Sequence, residues 1–338
     1  MYNSYKIFHW NHDHNNIVNN NNIYNDVFIN TGTRKHHEWE NTICVTYLND
    51  KPKVIKNSHH FLTLNESSWQ NQEYKIYDNL VRNYIEITEN KVSNNDYYHL
   101  DNAFYMIDAF IFSNSGHNLS IMLDNVNYII TNNIKDILII KGYSETHNYK
   151  LIKLLLPNDI IFHELELNTI YKIKQVHIIY PEFFNIFKHM YLIEKLQNII
   201  KDQYSIQYDE YKNKNVILMK TNRNENIFYS ATQYHCESFV QSLEAKGYIY
   251  LYPEKIDIFK LATYLLFANK IVFSTGSILY TNKIFFTERS KLIYVTTHNN
   301  LNVCMEGVHE RSPLILYVNN TNIDSNDYIE LVNRIDNY

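Results

Sequence analysis

The chain reads as an α/β protein with two Rossmann-like domains facing a cleft, preceded by a β-containing N-terminal extension. Three observations predict this. From about residue 100 onward, apolar strands alternate with amphipathic helices, the pattern of βαβ units and mostly parallel sheets. A polar stretch without a hydrophobic period, 203–214, interrupts the alternation and suits an interdomain linker. The chain has 338 residues, 45% of them hydrophobic, enough for two buried cores.

The extension, 1–98, is polar and rich in His and Asn, with short apolar stretches at Ile43–Leu48 and Phe61–Leu64. The first domain spans 99–205. Its predicted elements are a strand at Ala103–Phe112, a helix at His117–Ile130 and a buried strand at Asp136–Ile140. A helix at Asn148–Leu156 is stopped by Pro157, a strand follows at Tyr171–Ile179, and after Pro181 a long helix runs to about Asp202. The second domain, 206–338, opens with a strand at Asn215–Lys220 and a helix at Gln233–Lys246. That helix puts Phe239, Val240 and Leu243 on one face, with Gly247 just past its end. Strands at Tyr248–Leu251, Ile271–Ser274 and Leu292–Val295 then alternate with helices at Ile256–Asn269 and Ser277–Phe285. A last helix, Asp324–Asn337, has Asp324 as its N-cap.

Composition excludes several function classes. The net charge of −5 comes without a polybasic patch or an acidic tail, which argues against nucleic acid and anionic membranes as partners. Abundant Asn, Ile, Tyr and Lys match the codon bias of an AT-rich genome, such as that of a large DNA virus or a protist. Asn19–Asn22 therefore carries little functional information. Cys44, Cys236 and Cys304 form no CxxC pair, so the expected compartment is reducing and cytoplasmic, the host cytoplasm for a viral chain. No apolar run approaches the roughly 20 residues of a membrane-spanning helix, and the N-terminus has no apolar signal region.

The six glycines lie far apart. Neither GxxxxGK[ST] nor GxGxxG can be drawn through them, which sets aside P-loop enzymes and dinucleotide-dependent dehydrogenases. His37-Glu38 and His163-Glu164 begin like zinc-protease helices, but Asn41 and Leu167 stand where the second imidazole is required. Neither GxSxG nor Asp-x-Asp occurs.

Three segments carry chemistry. Ser113-Asn114-Ser115-Gly116-His117 joins a strand to a helix, at the strand end where open α/β sheets place ligands. His117 has a near-neutral pKa suited to a general base, with helix capping as the bland alternative. Lys220 and Arg223 directly follow a strand. Together they suit a diphosphate, Arg223 offering a planar fork, and a solvated loop is the alternative. Ser274-Thr275-Gly276-Ser277 leads an apolar strand into a helix, where hydroxyls and exposed N–H groups make a pyrophosphate cradle. A tight packing turn is the alternative there.

The order and spacing of these segments resemble glycosyltransferase family 61. Asn114–Leu119 (NSGHNL) is similar to that family's HNYGHWL-type segment. Val216–Asn226 resembles its strand ending in basic residues, and Phe239–Glu254 its helix, Gly, strand and Pro-Glu sequence. Ile256–Asn282 resembles its F..A..IVG.HGAGLTN signature. The resemblance covers about 100–296. It implies a GT-B fold and an inverting transferase that needs neither metal nor cofactor and uses a nucleotide-sugar, a UDP-sugar above all. The acceptor would be a glycan or a glycoprotein.

It further implies His117 as the base, with Asn114 and Gly116 on the acceptor side. Lys220, Arg223, Glu254, Ser274, Thr275, Gly276, Ser277 and Asn282 would bind the donor. Asn118, Thr275 and Ile278 depart from the family pattern. These departures support an alternative, a catalytically inactive transferase-like protein that binds glycans or acts as a scaffold.

Overall fold

The computed structural model describes residues 17–18, 23–31, 42–48, 51–55, 86–106, 115–166, 169–179, 186–204, 212–219, 237–252, 255–274, 282–296, 313–317 and 325–338. It is a mixed α/β protein. The chain clusters into two compact units. One comprises Met1–Ile111, Asn125–Tyr149 and Leu156–Glu182, and the other Phe112–Asp124, Lys150–Leu155 and Phe183–Tyr338.

The first unit is built on an eight-stranded sheet ordered β1-β4-β3-β2-β8-β5-β6-β7. These strands are β1 (Ile17–Val18), β2 (Ile23–Thr31), β3 (Thr42–Leu48), β4 (Lys51–Ile55), β5 (Tyr98–Tyr105), β6 (Asp136–Ile140), β7 (Ile161–Leu165) and β8 (Thr169–His177). β7, β6, β5 and β8 run parallel. The N-terminal strands are part of the same sheet, because β2 lies antiparallel to β8 from Ile23↔His177 to Thr31↔Thr169. Val27, Ile29, Ala103, Tyr105, Leu138, Ile173 and Val176 form the core on one face.

α1 (residues 86–93) precedes β5. α2 (Ser115–Thr131) follows it and buries Met122, Leu123, Val126 and Ile129, the i, i+4, i+7 stripe of a helix lying on a core. α3 (His147–Leu155) ends two residues before Pro157. The strand predicted at Ala103–Phe112 starts five residues earlier, at Tyr98, and 107–112 lie outside the described residues. β7 was missed, because its partly exposed IFHEL has no clean alternation.

The second unit contains α4 (Met190–Tyr204), which follows a 3-10 turn at Ile186–His189. Its all-parallel sheet has the order β10-β9-β11-β12-β13. The strands are β9 (Asn215–Leu218), β10 (Ile249–Tyr250), β11 (Lys270–Ser274), β12 (Lys291–Thr296) and β13 (Leu314–Tyr317). Among the described residues, three helices accompany them: α5 (Glu237–Glu244), α6 (Ile258–Phe267) and α7 (Ser325–Asn337).

One core cluster joins Ile217, Val272, Ile293 and Val295 of the sheet to Phe239, Val240 and Leu243 of α5 and to Leu331, Val332 and Ile335 of α7. Elsewhere in the sheet Phe273 stacks on Tyr294, ring centroids 5.2 Å apart. α5 ends as its sequence predicts. Gly247 takes φ +86°, Gly247 N–H donates to Glu244 O at 2.8 Å and Tyr248 N–H to Leu243 O at 3.1 Å, the paired bonds of a Schellman motif. Asp257 caps α6 through the N–H groups of Phe259 and Lys260.

The end of α7 is held by lysines. Lys270, 9% exposed at the start of β11, donates to the carbonyls of Ile335 at 3.2 Å and Asp336 at 2.6 Å. These carbonyls have no partner within the helix, and the helix dipole favours a cation there. Lys246 makes an exposed pair with Asp336 at 3.3 Å. Lys270→Met is therefore expected to lower unfolding stability by about 1–3 kcal/mol in urea denaturation, because it removes the charged donor to both carbonyls and leaves that of Asp336 without it. Lys246→Ala should change it by no more than about 0.5 kcal/mol.

Candidate functional site

The strand order of the second unit defines the site. β9 starts the series; β10, the next in sequence, lies on one side of it and β11 on the other. Parallel sheets of this order bind ligands outside the C-terminal ends of the strands at the point where the order reverses, which here lies between β9 and β11. The register pairs Leu218 with Phe273, which puts Met219 and Ser274 at neighbouring strand ends. Both residues are buried.

Two of the three predicted segments begin here. Lys220 follows Met219, and Thr275, Gly276 and Ser277 follow Ser274. The structure thus brings together the strands that carry the two segments predicted to bind the donor. Lys220, Arg223, Glu254, Thr275, Gly276 and Ser277 themselves lie outside the described residues. Asn282 is buried before the 3-10 turn Lys283–Phe285. Residues 282–285 are the described part of the helix predicted at Ser277–Phe285.

The third segment lies at the start of α2. Gly116 and His117 are its second and third residues, while Asn114 and the His117 side chain lie outside the described residues. Phe112–Asp124, and with it His117, clusters in the same unit as β9 and β11.

Two histidines escaped the sequence reading. His189 donates from Nε2–H to Asp124 Oδ1 at 2.7 Å, and both side chains are largely buried. The pair fastens α2 to the turn before α4. His177, at the end of β8, has Nδ1 3.2 Å from the Tyr128 hydroxyl. Burial pushes the imidazole below its ordinary pKa and the phenol above its own. Sequence offered only one signal for either, a His at the end of an apolar run. The partners, 65 and 49 positions away, are set by tertiary packing.

Among the described residues no cluster of three His, Cys, Asp or Glu side chains is arranged to hold a metal ion. No helix among them is long and apolar enough to cross a membrane. No family model matches the chain, and no curated protein matches it.

His177 generates a pH prediction. Its folded-state pKa is depressed, so as pH falls the unfolded chain takes up the proton first. Its contribution to stability is complete above about pH 6.5 and declines below it. Thermal melts between about pH 7.5 and pH 5 should show Tm falling below about pH 6.5, and His177→Gln should flatten that part of the curve.

Proposed function

We propose that this chain is a metal-independent inverting glycosyltransferase of GT-B type. It transfers a sugar from a nucleotide-sugar, with UDP as the expected nucleoside diphosphate, to a hydroxyl of a glycan or glycoprotein. The observation that carries the reading is the switch point of the second sheet. The strands that flank it are the two that lead into Lys220–Arg223 and Thr275–Ser277. A parallel sheet of this order binds its ligand at that edge. The residue types that follow the two strands, a lysine, an arginine and hydroxyl groups around a glycine, match the oxygens of a diphosphate.

In the proposed reaction the acceptor hydroxyl attacks the anomeric carbon on the face opposite the diphosphate. The new carbon–oxygen bond forms as the bond to the diphosphate breaks, and His117 takes the hydroxyl proton. The charge left on the diphosphate falls to Lys220, Arg223 and the backbone N–H groups after Gly276, which stabilise it electrostatically. Glu254, four residues beyond the end of β10, serves the donor's hydroxyls.

A thermal-shift panel of UDP, GDP, CDP and ADP, with and without EDTA, tests the reading. A nucleoside diphosphate at about 100 times its Kd should stabilise the protein by about 2.7 kcal/mol. The shift is expected to survive EDTA and to disappear in Arg223→Ala. Stabilisation by free glycans with none by any nucleotide would instead establish the binding-protein alternative.

A further inference from the structure

The carbonyl of Met219 is the first acceptor beyond β9, and Lys220 comes directly after it. The ladder between β10 and β9 pairs Ile249 with Val216 and Tyr250 with Ile217. Leu251 N–H donates to Ile217 O at 3.0 Å. In a parallel ladder the amides of one strand serve evenly spaced, alternate carbonyls of its neighbour. Met219 O is the next alternate carbonyl on that side of β9, one rung beyond the last of these bonds.

The hydroxyl of Tyr250 fills that rung, donating to Met219 O at 2.8 Å. Met219 is fully buried and Tyr250 nearly so, so leaving this carbonyl unpaired would incur its whole desolvation penalty. Tyr252 holds the Tyr250 ring edge-on at 4.5 Å.

We infer that Tyr250 is the positioning residue of the donor-binding segment. Its hydroxyl fixes the carbonyl from which the chain departs toward Lys220 and Arg223, and so sets where those two cations start. In a ladder a backbone amide does this; here the bond shown comes from a side-chain hydroxyl. The inference rests on the proposal that Lys220–Arg223 holds a nucleoside diphosphate.

Tyr250→Phe keeps the ring and its contact with Tyr252 and removes only the hydroxyl. Tyr248→Phe is the matched control. Tyr248 is buried in the same core cluster, and its hydroxyl faces Ile335 O at 3.5 Å, on α7. Both variants and the unmodified chain are titrated calorimetrically with UDP and with GDP, well below all three melting temperatures.

The expected result is a Kd raised about fivefold in Tyr250→Phe, the effect of one net hydrogen bond, and unchanged in Tyr248→Phe. Equal affinity in Tyr250→Phe and the unmodified chain overturns the positioning role and leaves nucleotide binding standing. An equal loss in the two variants overturns it as well, because general loosening of the core then accounts for the effect. If the unmodified chain binds neither nucleotide, the donor-site reading fails and takes the positioning role with it.

Discussion

The second sheet depends on burying one strand from end to end. All five residues of β11 are buried, as a central strand of a parallel sheet requires when helices cover both faces. That demand falls on a lysine. Lys270 opens the strand, and its ammonium is accommodated because the C-terminal turn of α7 presents to it carbonyls that have no partner within the helix. The position of α7 is thereby tied to the sheet at the end of β11 opposite the candidate site. At the other end Ser274 is level with Val295 of β12, one residue beyond the Phe273–Leu218 pair. Packing fixes one end of the strand and leaves the other to chemistry.

Much of this fold was legible because local rules decide it. The strand Asp136–Ile140 has the bounds that its unbroken apolar run predicts, and α3 starts and stops within a residue of its predicted limits. Gly247 was readable as a helix terminator because only a residue without Cβ takes φ +86° at no cost. The strand order was not legible. Periodicity says which residues form a strand but nothing of its neighbours, and the antiparallel joining of β2 to β8 links segments some 140 positions apart. The polar stretch at 203–214 told equally little about which unit α4 belongs to, because clustering with β9–β13 comes from packing and leaves no mark on composition.

The candidate site was half legible for a related reason. Lys220–Arg223 and Ser274–Ser277 could be recognised as strand-end segments, since each follows a short apolar run. That their strands are neighbours is a topological fact. Tyr250 could not have been singled out from the sequence. YLYPE reads as a strand stopped by proline, and only the fold brings the Tyr250 hydroxyl to Met219 O.

On the proposed reading, this bond bears on how a glycine-poor chain handles phosphate. Phosphate loops usually use several glycines, so that backbone N–H groups wrap the ligand and place themselves. Here the six glycines are scattered, and on the proposed reading the charge on the diphosphate falls mostly to long side chains. Lysine and arginine lose rotamer freedom when they bind, a cost that grows if the backbone beneath them also moves. Stabilisation of developing charge is effective when the donors are already in place. A chain with few glycines therefore depends more on a rigid point of departure for its cations. A buried tyrosine, held by a neighbouring ring and bonded to the last carbonyl before Lys220, supplies such a point.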